Sequence, residues 1–203
     1  MKLAEMRDND QWCDMTQLFL DRTAKHIALV QKYAEIIYYR CDEVGASLVT
    51  NSHEHDASKY LPPEIRPYIY LTWGKQNGMD FSGLFALMPI EKVHGYKTSD
   101  DIRAAIRSAT LHHITTNKHH PEAHADSVQS GPRDSGEATV PLDLPNMDVI
   151  SMAEMCADWA AMSEELGTDL VEWATKNIGS RWQFTSGQRR LIYKFLQACV
   201  ANG

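Results

Sequence analysis

Residues 16–39 read TQLFLDRTAKHIALVQKYAEIIYY. Apolar side chains recur at helical spacing and no Gly or Pro interrupts them, so the stretch predicts a helix from about Thr16 to Tyr39. Val30, Tyr33 and Ile37 share one face of that helix. His26 lies on the same face, because i, i+4, i+7 and i+11 nearly align at 3.6 residues per turn. An imidazole turned inward needs a partner there.

Working outward, the other segments also read as helical. Asn51 or Ser52 is the expected cap of a short helix running to about Leu61, where Pro62-Pro63 ends it. A helix through Tyr70 and Trp73 follows. Residues 74–98 carry Gly74, Gly78, Gly83 and Gly95, which predicts loop with a short helical piece. Ser99 is the expected cap of the next helix, with Asp100 and Asp101 at its positive end and Ile102, Ile106, Ala109 and His113 facing inward. Residues 123–146 are dense in Ser, Gly, Pro and Asp and show no period, which predicts a long loop, a candidate lid. Met152, Met155, Trp159 and Met162 stripe a helix from about Met147 to Leu166. Two more are expected at Thr168–Ile178, closed by Gly179, and at Ser186–Val200, with at most a few residues pairing as strand. The expectation is an all-α fold, one helical domain over residues 1–203.

At 203 residues the chain can bury a core without staples. A net charge of −7 argues against coating a polynucleotide, since that relies on many Lys and Arg at phosphates. It leaves room for one small anion held through a bound cation. Cys13, Cys41, Cys156 and Cys199 form no C-x-x-C pair, which points to reduced, packed thiols. The polar N-terminal stretch lacks the apolar core of a signal peptide, and no apolar run approaches spanning length. A cytoplasmic protein without a membrane partner is expected.

Three further blocks carry chemistry: HEHDASK at 53–59, NKHHPE at 117–122 and EMCADW at 154–159. With His26 they supply imidazoles and carboxylates. That mixture suits manganese, iron, cobalt, nickel or zinc, with magnesium also in the expected set, better than calcium. His55 and Asp56 are neighbours, and neighbours on a helix diverge by roughly 100°. They share a cation only if it sits beside the helix flank, with His26 and Asp158 arriving from other helices. Lys59 falls at i+4 and i+3 from the pair, placed to hold a phosphate, and Ser58 could donate nearby. Asn117, one turn after His113, could orient a ligand or a water. Glu122 and Glu154 are candidates for general acid or base, or for fixing the ligand imidazoles.

Each residue also has a plainer reading. His26 alone would be a core histidine on a carbonyl, His55-Asp56 a surface turn, and Asp158 a cap or an arginine partner. Lys59 would be solvated, Glu122 a brace for the loop after Pro121, and Glu154 an ordinary helix carboxylate. The joint pattern favours ligation for His26, His55, Asp56 and Asp158. His53, His112, His119 and His124 are expected to be exposed or to stand behind ligands. Trp159, Trp173, Trp182, Tyr33, Tyr38 and Phe195 read as core, and Tyr68, Tyr70 and Trp73 as core before any base-binding pocket. Arg181, Arg189 and Arg190 read as a solvated C-terminal face.

In order, the blocks His-Asp-x-Ser-Lys, His-x-x-x-Asn-x-His-His-Pro-Glu and Glu-Met-x-x-Asp-Trp resemble the HD-domain superfamily of metal-dependent phosphohydrolases, in particular an HD-like branch found in bacteria and phages. The likeness covers roughly residues 20–160. It implies a helical bundle around a central metal held by His26, His55, Asp56 and Asp158. It also implies a second ion in some members, for which His113 and His120 are the candidates here, bridged by Asp56. Of His119 and His120, the residues themselves leave the choice open, and the family pattern favours the second. Helical members of that superfamily often dimerise through terminal helices, so the resemblance leaves a homodimer open.

The resulting expectation is hydrolysis of a small phosphorylated substrate, a nucleotide first, by metal-activated water with Lys59 on the phosphate. Three alternatives stand beside it: a di-iron oxygenase using His113 and His120, a non-catalytic nucleotide-binding module, and a purely structural metal site.

Overall fold

In the computed structural model, residues 3–79, 95–125 and 142–201 are described, with residues 3–10 as backbone alone. Seven α-helices dominate them: α1 (Leu3–Arg40), α2 (Ser47–Ser52), α3 (Ile65–Gln76), α4 (Ser99–Thr116), α5 (Val149–Leu166), α6 (Leu170–Asn177) and α7 (Ser186–Val200). Short 3-10 turns cover Ala57–Tyr60 and Pro121–His124. Two two-residue strands, β1 (Leu142–Asp143) and β2 (Trp182–Gln183), pair in parallel with Leu142 opposite Trp182. The fold is all-α, as the helical periods require.

The chain packs as two compact units, Met1–Ala24 with Ala57–His113, and Lys25–Asp56 with Ile114–Gly203. In the first, Met15 and Phe19 of α1, Ile69 and Tyr70 of α3, and Ile102 and Ile106 of α4 form an apolar cluster. Trp12 and Tyr96 lie against Tyr70, with centroids at 5.6 and 5.8 Å. In the second, Val30, Ala34 and Ile37 of α1 join α5 and α7, including Met155, Trp159, Ile192 and Phe195. The helix α5 is buried around most of its circumference, as a helix surrounded by partners must be. Trp159 stacks on Trp182 at 5.4 Å and meets Trp173 edge-on at 5.0 Å.

Local signals fix the ends of these helices. The Asp148 carboxylate accepts from the Ser151 N–H at the start of α5, and Gly167, at φ +64°, closes its end. Only a residue without a Cβ takes that left-handed turn at no steric cost. Thr185 and Gln188 form a reciprocal capping box at α7. The Gln188 amide also donates to the carbonyls of Leu144 and Met147, tying the entry of α5 to α7.

Several expectations need correction. The first helix starts at Leu3, well before Thr16. The helix cap before α4 is Thr98 rather than Ser99: its hydroxyl accepts from the Asp101 N–H, and Asp101 accepts from the Thr98 N–H in return. Tyr38, expected in the core, is on the surface. The α-helix expected from an Asn51 or Ser52 cap to about Leu61 does not form: Asn51 and Ser52 end α2 instead, turns carry the chain through residues 53–56, and a 3-10 turn follows at Ala57–Tyr60. The loop expected over 74–98 is helical up to Gln76, and residues 80–94 fall outside the described residues. The lid expected over 123–146 falls mostly on residues 126–141, also outside them.

Candidate metal centre

The centre is built within the second unit from four segments. The helix α1 presents His26, one turn before buried Val30. The stretch after α2 presents His55 and Asp56. There the Asp56 backbone has φ +58°, a left-handed conformation that Asp tolerates better than most residues. This reversal breaks the helical divergence of neighbours, so both side chains reach one region, with His55 Nε2 3.7 Å from Asp56 Oδ1. The stretch after α4 presents His119 and His120, where His120 is extended and its N–H is bonded to the Asn117 carbonyl. The helix α5 presents Glu154, Asp158 and Glu165, spaced i, i+4 and i+11 along one stripe.

The Nε2 atoms of three imidazoles face two aspartates. His26 Nε2 is 3.1 Å from Asp158 Oδ1 and 3.8 Å from Asp56 Oδ2. His55 Nε2 is 3.7 Å from Asp56 Oδ1 and 3.9 Å from Asp158 Oδ1. His119 Nε2 is 3.6 Å from Asp56 Oδ1. Most of these separations exceed a hydrogen bond, which spans about 2.7–3.2 Å. They match ligand atoms around one cation: bonds of about 2.1 Å hold such atoms between about 3.0 Å apart at a right angle and about 4.2 Å when opposed. His55 Nε2 is buried and makes no hydrogen bond. A buried nitrogen left in that state among carboxylates costs free energy unless a cation accepts its lone pair. The residues therefore fit a divalent ion.

The outer nitrogens are also held. His55 Nδ1 lies 3.0 Å and His119 Nδ1 3.5 Å from the same oxygen, Glu154 Oε1. His26 Nδ1 faces Glu165 Oε2 at 3.4 Å, an ion-pair contact short of hydrogen-bond geometry. A second ligand group overlaps the first, since Asp56, His119 and His120 each offer an atom within 4.8 Å of the others.

The charges follow from this packing. Burial drives His26 toward its neutral form, but the Asp158 and Glu165 carboxylates outweigh it and raise its pKa to about 9. Without a metal, a proton on His26 thus stands in for the cation. Burial pushes Asp158 and Glu154 up, but their histidine partners more than offset it, and both stay well below the usual carboxylate range. Burial and the neighbouring His55 push His119 down, which favours the neutral imidazole that ligates.

The structure thus brings His26, His55, Asp56 and Asp158 together, with His120 and Glu154 beside them. It also brings in His119, the alternative to His120 that the sequence left open: it is 3 % exposed and its Nε2 faces Asp56. Glu122 is buried, and its carboxylate accepts from the Trp182 indole N–H at 3.4 Å. Asn117 also lies in the second unit, whereas Ser58, Lys59 and His113 belong to the first. There His113 Nδ1 is 2.9 Å from the fully buried Glu64 carboxylate, which also meets His112 Nδ1 at 2.7 Å and accepts from the Ser58 hydroxyl at 3.0 Å. Lys59 lies in the 3-10 turn rather than on a helix with His55, so the i+4 argument for it fails; its ammonium stands 5.4 Å over the Tyr68 ring. Asn117 is half-buried, and its carbonyl accepts from His120. Sequence reasoning missed Glu64 and Glu165. Glu165 was findable as the next carboxylate on the stripe of Glu154 and Asp158, whereas Glu64 follows Pro62-Pro63 with no periodic signal.

A family model described as "Family of unknown function (DUF5662)" matches residues 15–198. The chain belongs to the DUF5662 family. The DUF5662 match takes in every residue of the centre, from His26 to Glu165. No curated protein and no solved structure matches the chain.

Proposed function

We propose that this DUF5662 protein is a divalent-metal-dependent phosphohydrolase of the HD-domain type, acting on a small phosphorylated molecule, a nucleotide first. One observation carries the metal: the Nε2 atoms of His26, His55 and His119 face Asp56 and Asp158 at 3.1–3.9 Å, with His55 Nε2 making no hydrogen bond. The order and wording of the three sequence blocks support the substrate class, which rests on resemblance.

In this reading His26, His55, Asp56 and Asp158 hold the ion, joined by His119. A bound divalent cation would supply a water whose pKa falls from 15.7 toward about 7 and would neutralise phosphoryl oxygens. Glu154 holds imidazoles and Glu122 braces Trp182, so both act by positioning. Asn117 remains the proposed water-orienting group. A cytoplasmic location is part of the proposal, supported by four free cysteines, three of them buried. Among the described residues, no helix is long and apolar enough to cross a membrane.

The group of Asp56, His119 and His120 favours a second reading, a two-ion centre that with iron would serve oxygen chemistry. Elemental analysis of unstripped protein, followed by a panel of nucleotides and phosphate esters with each divalent ion, tests both. Release of phosphate, pyrophosphate or triphosphate is expected. Silence with every ion sinks the hydrolase, and oxygen consumption by the iron-loaded protein would establish the second reading.

A further inference from the structure

We infer that Glu154 and Glu165 divide the task of orienting the metal imidazoles, with Glu154 fixing His55 and His119 together and Glu165 fixing His26 alone. The inference rests on the metal reading above. An imidazole ligates through one nitrogen only if its other nitrogen carries the proton, and a carboxylate behind that nitrogen sets both the tautomer and the ring angle. Each inward-facing ring here has a carboxylate behind it, hydrogen-bonded at His55 and in ion-pair contact at His119 and His26. Glu154 Oε1 stands 3.0 Å from His55 Nδ1 and 3.5 Å from His119 Nδ1, and Glu165 Oε2 stands 3.4 Å from His26 Nδ1. In each case the opposite nitrogen, Nε2, is the one that faces the aspartates.

The division follows from the helix. Glu154, Asp158 and Glu165 share a stripe of α5, so one rigid element supplies a ligand and both orienting groups. Glu154 serves two rings through one oxygen, and those rings belong to two overlapping ligand groups: His55 with His26 and Asp158, and His119 with Asp56 and His120. Loss of Glu154 therefore loosens both groups. Loss of Glu165 loosens one ring of the first. Both glutamates are positioning residues, acting on the ion through the rings they hold.

The test is Co2+ binding to the full chain by equilibrium dialysis, with the visible Co2+ absorption as a geometric readout, for wild type, Glu165→Ala, Glu165→Gln, Glu154→Ala and Glu154→Gln. Loss of such a partner weakens metal affinity by about 10–100-fold. That loss is expected for Glu165→Ala, and a larger one for Glu154→Ala, each with a changed absorption band. The Gln variants should recover affinity to within a few-fold, because an amide oxygen still accepts the Nδ1–H. A merely structural role would not give that rescue, and the near-isosteric Gln variants keep the comparison open if an Ala variant fails to fold. Wild-type affinity and an unchanged band in both Ala variants, with helical content intact, would overturn the inference. Wild type that binds no Co2+ overturns the metal reading and this inference with it. Wild type that binds Co2+, loses it as described in the variants and cleaves no phosphate ester refutes the hydrolase and supports the orienting roles.

Discussion

Stripping the ion from the loaded protein should lower its thermal midpoint without unfolding it. At a free ion concentration 100-fold above Kd, binding contributes about 2.7 kcal/mol to stability. In a chain of this size each kcal/mol moves Tm by roughly 2–4 °C, so excess chelator should lower it by about 5–11 °C. The structure explains why the fold survives. Asp56, Glu154, Asp158 and Glu165 gather around imidazoles, and His26, raised to about 9, carries a compensating proton at neutral pH. The assay is a thermal melt followed by near-ultraviolet circular dichroism, with and without chelator. Asp158→Asn is the control: it keeps the shape of the side chain 3.1 Å from His26 Nε2 but removes its charge, and should abolish the chelator-dependent shift. An unchanged wild-type midpoint, or an equal shift in Asp158→Asn, would refute the reasoning.

Asp148→Ala should cost about 1 kcal/mol in urea unfolding at pH 7, because the carboxylate accepts from the Ser151 N–H at 2.9 Å and hydroxyl at 2.7 Å. Burial pushes the Asp148 carboxyl up, but these bonds outweigh it and leave its pKa below the ordinary value. Its stabilisation is therefore complete above the unfolded pKa of about 3.9 and lost as pH falls through the folded value, so the gap between variant and wild type should close below about pH 4. Asp56→Asn should keep the fold, since Asn tolerates the left-handed backbone at φ +58°, while weakening ion binding. With chelator present, Asp56→Val should unfold earlier than Asp56→Asn by about 1–2 kcal/mol of backbone strain, and equal midpoints would deny that strain. Phe195→Ala empties a position that is 0 % exposed and should cost about 3–5 kcal/mol in denaturant unfolding; a surface-like loss of a few tenths would contradict its burial.

Where apolar side chains kept a helical period, the sequence was a good guide. Ser186–Val200 is a helix with those bounds, and Val30, Ile37, Ile102, Ile106 and Ala109 are buried as their spacing required. Reading failed where a non-local contact or an unusual backbone angle took over. Nothing in HEHDASK announces that it forms turns rather than an α-helix and that Asp56 turns left-handed. The i+4 placement of Lys59 failed for that reason. His119 is a polar residue in a turn, and its burial comes from packing against His55, with ring centroids 4.0 Å apart. Glu165 belongs to a helix end that composition alone would leave to solvent.

By itself the sequence determined the helical class, the buried faces of α1, α4 and α5, and a set of imidazoles and carboxylates of the kind that could hold a divalent ion. Those follow from local period and from the chemistry of the side chains, which any fold must respect. Only the tertiary structure decided that His119 joins His26 and His55, and that Glu154 and Glu165 stand behind the rings. Convergence of atoms to within a few ångströms depends on how distant segments pack, and that information is spread over the core rather than written beside the ligands.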